Sequence, residues 1–170
     1  MDEPENTDGD DALWRFSFAF YDRPGVAEAL ITLQDRDGFD VNLMLFALWF
    51  GISGRGALGS GTLAAAERAT GTLRDEIVGP LRRLRRKLRD HPDGDIRQLR
   101  EGVKSLELAG ERLAQTRLVR LCARGRTDTP LPERRAAAHA NLAVYLGAEA
   151  IRSGEAGVIG EALDAFARDL

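Results

Sequence analysis

Cysteine is nearly absent from this chain of 170 residues: Cys122 stands alone, which excludes an internal disulfide. Histidine is almost as scarce. His91 precedes a proline in a turn and His139 sits in an alanine-rich stretch, with no His-x-x-x-His or Glu-x-x-His pair. A thiolate cluster and a histidine metal site are therefore not expected, and no cofactor is implied. β-branched residues are few, and no segment alternates apolar and polar residues as a half-buried strand does. No sequence period repeats. The longest apolar run falls far short of the roughly 20 residues that span a bilayer. The opening eleven residues are acidic and polar rather than basic and then apolar, so no secretory signal is expected. With the solitary thiol, this gives an expectation of a cytoplasmic protein.

What the chain does have is 44% apolar and 30% charged residues, with alanine, leucine and arginine prominent, a globular composition tilted towards helix. Its net charge is -3, unevenly placed. Six acidic residues fall within 1–11, leaving 24 basic against 27 - 6 = 21 acidic groups in the body. Such a tail has no apolar anchors and is expected to be disordered. The most informative stretch is Asp40-Val-Asn-Leu-Met-Leu-Phe-Ala-Leu-Trp-Phe-Gly51. A helix apolar on nearly all sides must be enclosed, so this segment is read as the central helix of the domain, with Asp40 as its N-cap.

The remaining pattern supplies the wrapping. A first helix is expected from 12 to about 22, capped by Asp10 or Asp11 and crowded with Trp14, Phe16, Phe18, Phe20 and Tyr21. A second is expected to start at Pro24 and run to about 35. Five glycines between 51 and 61 suggest a loop, because each costs a helix about 1 kcal/mol relative to alanine. A short helix over 62–69 and another over 72–90 follow, with Thr72 as a cap and Pro80 breaking or kinking the chain near Gly79. A long helix from Asp95 to about Gly125, a polar linker over 125–132, and helices over 133–152 and 158–168 close the chain. The expected architecture is all-α: a compact single-domain bundle of about seven helices with a glycine-rich internal loop.

The spacing of Trp14-x-Phe16-Ser17, Tyr21-x-x-Pro24-Gly25-Val26, Leu33-Gln34-Asp35 and above all Asp40-Val41-Asn42-Leu43-x-Leu45-Phe46-x-x-Trp49-x-Gly51 resembles a family of bacterial, mainly proteobacterial, helical proteins known only as a domain of unknown function. Pro80-Leu81-Arg82 and Arg85-Arg86-x-Leu88 extend the likeness, which covers about 12–122. It divides the domain at 12–170 into a family-like part at 12–124, the linker and a C-terminal helical pair at 133–170. The resemblance implies a small cytoplasmic helical protein and carries no reaction with it.

Asp40 and Asn42 are candidate ligand groups, since a helix N-terminus favours anions and shifts pKa values. The plainer account is a cap and a loop contact. Gly54-Arg-Gly-Ala-Leu-Gly59 matches Gly-x-Gly-x-x-Gly, but that pattern binds a dinucleotide only in a strand–loop–helix unit. What survives is a simple anion contact at Arg55. Residues 81–89 carry Arg82, Arg83, Arg85, Arg86, Lys87 and Arg89 opposite an expected apolar face of Leu81, Leu84 and Leu88. This basic helix is a candidate surface for a protein partner or a polyanion. A folded-back acidic tail is one conceivable screen for it. Glu107 and Glu111 share a helix face but lack the further ligands of a di-metal bundle, and are expected to be solvated.

No catalytic set and no metal site emerge, and the balance falls against an enzyme. The leading expectation is a non-enzymatic adaptor or regulator that binds a protein partner, or forms a homo-oligomer, through the aromatic first helix or the basic helix. The alternative is a small-ligand binder or enzyme with a pocket beside Asp40 and Asn42 and an anion contact at Arg55. Nucleic-acid binding through 81–89 is less favoured, given a pI near 5.5.

Overall fold

A helix with no polar side needs cover all round, and the computed structural model provides it for the segment that follows Asp40. The structure describes residues 11–122, 125 and 128–170; the expected disordered tail, apart from Asp11, lies outside the described residues. The helices are α1 (Ala12–Tyr21), α2 (Val26–Asp37), α3 (Val41–Phe50), α4 (Ser60–Thr72), α5 (Gly79–Arg89), α6 (Gly94–Arg120), α7 (Leu131–Ala150) and α8 (Gly154–Arg168). A wide π-helical turn, Leu73–Val78, joins α4 and α5 into one rod, so the described residues form seven helices and no strand. No described helix is long and apolar enough to cross a membrane.

Every residue of α3 from Asn42 to Phe50 is buried. Asp40 caps it, its carboxylate accepting the Asn42 N–H at 2.8 Å. α7 covers one side with Ala138, Leu142 and Leu146, and α2, α1 and α6 close the others. α8 packs across α2 and sets Phe166 edge-on to Phe16 and Phe20, with ring centres 5.3 and 5.9 Å away. The segment after Gly125 is thus part of the same core.

Several local expectations are corrected. Pro24 does not open α2; Gly25 caps it and the helix begins at Val26. The glycines after Phe50 do not make one long loop: Gly51–Arg55 continues α3 as a π-helical turn kinked at Gly54, whose φ is 83°, and 56–59 follow without regular structure. Gly51 is where α3 meets α7: a Cβ there would fall inside the backbone of Ala137 and Ala138. Thr72 is no cap, and Pro80 does not break the rod. The Gly79 N–H reaches back to the Arg74 carbonyl, so the widened turn accommodates the proline without ending the helix. Asp11 stands at the N-cap of α1 without capping it; its carboxylate instead accepts from Arg112 of α6, at 2.9 and 3.1 Å. α6 ends at Arg120, and α7 and α8 start earlier than their patterns suggest.

Candidate functional site

Two faces of α1 explain its excess of aromatics. Leu13, Phe16 and Phe20 enter the core. Trp14, Phe18 and Tyr21, spaced four and three residues apart, instead wall a cleft of about 840 Å³. Phe18 is 63% exposed at the rim, with Ile31 of α2 and Leu108 of α6 also exposed nearby. The opposite wall belongs to α5, through Arg82, Arg85 and Arg86. The start of α3 and the middle of α6 form the floor.

The floor is polar and internally bonded. Ser17 Oγ donates to Gln115 Oε1 at 3.2 Å, and Gln115 Nε2 donates to Asn42 Oδ1 at 2.9 Å. All three side chains belong to buried residues. With its oxygen occupied, Asn42 keeps Nδ2 as the donor it can offer a bound group. Asp40 is not in the cleft lining. It lies behind it, its backbone N–H donating to the Tyr145 phenol oxygen at 2.9 Å and its carboxylate facing Arg74 at 3.9 Å. Burial pushes the Asp40 carboxyl above the ordinary carboxylate range, against the opposing pull of the Asn42 N–H and Arg74.

At the α5 end the cleft is held by ion pairs. Arg82 donates to Glu107 at 3.1 Å, to Glu111 at 2.8 Å and to Gln34 at 2.7 Å. Arg85 donates through both Nε and Nη2 to Glu107. The Glu107 side chain is only 7% exposed, so the expectation of a solvated carboxylate is corrected. Burial alone would raise its pKa, but the hydrogen bonds from Arg85 and Arg82 hold it below the usual range. Burial pushes the neighbouring Glu111 up, in spite of Arg82. The basic face is corrected too: Arg82 and Arg85 turn inwards, while Leu84 is exposed and only Leu88 of the three leucines is buried. Arg86 pairs with Asp35 at 2.9 Å on the rim. Arg83, Lys87 and Arg89 face solvent.

Arg55 is not brought to this cleft. It lies beyond the far end of α3, its guanidinium 3.9 Å from the centre of the Trp49 ring and donating to Ser53 Oγ at 2.6 Å. There it lines a smaller hollow of about 410 Å³ with Arg134. Among the described residues no group of three or more His, Cys, Asp or Glu side chains gathers as a metal site would require. The sequence reading missed Gln115, which has no motif, and gave Ser17 no role beyond its place in Trp14-x-Phe16-Ser17. It undervalued Glu107 and Glu111, whose four-residue spacing matches the three-residue spacing of Arg82 and Arg85.

The fold and the cleft together define an all-α, single-domain helical protein whose described residues form a large amphipathic cleft where five helices meet. The chain belongs to the family described as Protein of unknown function (DUF2390), whose family model matches residues 12–118. That match takes in α1 to most of α6, and hence all of the cleft lining. No curated protein matches the chain, and no solved structure matches it.

Proposed function

We propose that the protein is a non-enzymatic adaptor or regulator that holds an acidic, amphipathic helical segment of a protein partner in the α1–α5–α6 cleft. The observation that carries the reading is the meeting of an exposed aromatic wall with cationic groups at one opening. Phe18, Ile31 and Leu108 offer the apolar contact, and Lys104 stands beside them on α6, exposed, with Arg86 across the rim. An amphipathic helix laid in a groove places its apolar residues inwards and its flanking charges on the rim. Here the flanking charges that fit are carboxylates. Arg83, Lys87 and Arg89 extend the positive rim along the outside of α5. The lone thiol agrees with work in the cytoplasm.

Direct binding of labelled peptides tests this. Two helical peptides share one apolar face and differ only in carrying glutamate or lysine on the flanks. The acidic peptide should raise fluorescence anisotropy with the full chain, and the basic one should not. Phe18→Asp together with Leu108→Asp, both at exposed positions, should abolish the signal without loss of helical circular dichroism. Equal binding of both peptides, or binding indifferent to these substitutions, overturns the reading.

A small-ligand reading draws on the free Nδ2 donor of Asn42, in a volume within the usual range for small-molecule sites. Asn42→Ala separates the two, because a helix resting on the rim tolerates it and a ligand seated on the floor does not. In the smaller hollow, Arg55 and Arg134 each bury an Nε–H that has no acceptor, which favours a small anion there. Phosphate protection against heat, lost in Arg134→Gln, is its test. A polyanion reading rests on Arg83, Lys87 and Arg89, and predicts binding that falls steeply with salt.

A further inference from the structure

Most of the exposed large apolar residues of the described chain fall into two groups, with Leu121, Val144, Val158 and Leu170 apart from both. Apart from those at the cleft, five lie on one two-helix face: Ile77 and Leu84 on the rod, and Leu99, Leu106 and Leu113 on α6. Leu99 and Leu106 are each 62% exposed. Along α6 the leucines recur every seven residues, and three residues after each comes a small one, Gly102, Ala109 or Thr116. Gly102 and Ala109 are exposed as well. That is the a and d pattern of a helix-pairing seam, with a large residue at one position and a small one at the other.

The rod runs beside this seam. Gly110 of α6 allows the close approach, since a Cβ there would lie 2.9 Å from Val78 Cγ2 and 4.0 Å from Ile77 Cγ2. Ile77 therefore lies beside Gly110, at a level of α6 between Leu106 and Leu113. The antiparallel register carries Leu84, seven residues on, to the level of Val103, between Leu99 and Leu106.

We infer that this face pairs with the same face of a second copy of the chain, about a two-fold axis lying across the helices, α6 antiparallel to α6 and rod antiparallel to rod. One position of the axis satisfies the leucine stripe of α6 and a charge pair on the rod. Centred between Leu106 and Ala109, it sets Leu106 on Ala109 of the copy, Leu99 on Thr116 and Leu113 on Gly102, so that each leucine meets a small residue. On the rod the same axis passes between Gly79 and Pro80, with Ile77 to one side of it and Leu84 to the other. It also sets Glu76 against Arg83, which stand seven apart beside that stripe and are both exposed. Neither makes an ion pair within the described chain. An isologous interface requires such a self-complementary surface, and an unrelated partner would not. The cleft opens on the other side of α6, at Lys104, Leu108 and Glu111, so pairing leaves it accessible.

Sedimentation equilibrium of the full chain is the test. The wild type should be a dimer at micromolar concentration, and Leu106→Glu, at an exposed position, a monomer with unchanged helical circular dichroism. Glu76→Arg alone and Arg83→Glu alone each bring like charges together and should weaken pairing at least about tenfold. Combining the two restores opposite charges and should recover most of it. A wild type that stays monomeric overturns the inference, as does a dimer that survives Leu106→Glu. A dimer in which the double reversal fails to recover pairing overturns the antiparallel register. Because none of these residues lines the cleft, the peptide test of the cleft stands or falls separately.

Discussion

Asp40 combines two demands that pull against each other. As the N-cap of α3 it must accept a backbone N–H, and in that place it is buried, so its charged form is disfavoured. An asparagine caps nearly as well and carries no charge. Below the unfolded carboxyl pKa of about 3.9 both states are protonated. Between that value and the raised folded value, the native state keeps a proton that the unfolded chain releases, so stability falls as pH rises through the window. The stability of the wild type relative to Asp40→Asn should therefore decline from pH 4 upwards, as read by urea unfolding at several pH values. A difference that stays flat or grows with pH would show that Arg74 fully offsets the burial. Gly51 is a simpler case. Gly51→Ala drives a methyl into the α7 backbone, and thermal unfolding should show a loss of about 3 kcal/mol or more.

Among the elements, the short connection from the π-helical turn to α4 depends on a single side chain. Asn141 of α7 accepts the Leu58 N–H at 2.7 Å and donates to the Gly56 carbonyl at 3.0 Å. Asn141→Ala leaves buried backbone groups unpaired, at a cost of about 2 kcal/mol. Limited proteolysis should then cut near 56–59 sooner than in the wild type, and an unchanged cleavage rate would disprove this anchoring role. Asn141 could not be picked out beforehand, because its partners lie 83 and 85 residues away. The rod shows the opposite situation. Pro80 correctly marked the place where the helix is irregular, and only the surroundings decided between a break and a wide turn. Val78 and Ile77 packing at Gly110 of α6 keep the chain going.

For the molecule as a whole, the family match ends within α6, yet the core does not. Ala138, Leu142 and Leu146 of α7 complete the enclosure of α3, while Ile159 and Leu163 of α8 are fully buried. A chain ending at residue 122 should lose cooperative thermal unfolding and bind a hydrophobic dye, while keeping much of its helical signal. Retention of a sharp transition would mean that 12–122 folds by itself. The aromatic first helix shows the same dependence on the whole. Leu13, Phe16 and Phe20 are core, whereas Trp14, Phe18 and Tyr21 line the cleft, because the neighbouring helices cover only one of the helix's two sides.

The amino-acid sequence by itself determined the helical class, the central place of α3 and the Asp40 cap. Those features depend on neighbours a few residues apart: the 3.6-residue period, a carboxylate next to orphan N–H groups, and an apolar surface that cannot face water. Only the tertiary structure decided that Asn42, Arg82, Arg85 and Glu107 share one cleft, that Arg55 does not, and that Arg82 and Arg85 are internal rather than solvated. Arg82 and Glu107 are 25 residues apart, and Asn42 and Gln115 are 73 apart. Whether such groups meet depends on which helices lie side by side and how each is rotated, and that is set by the packing of apolar faces across the entire chain.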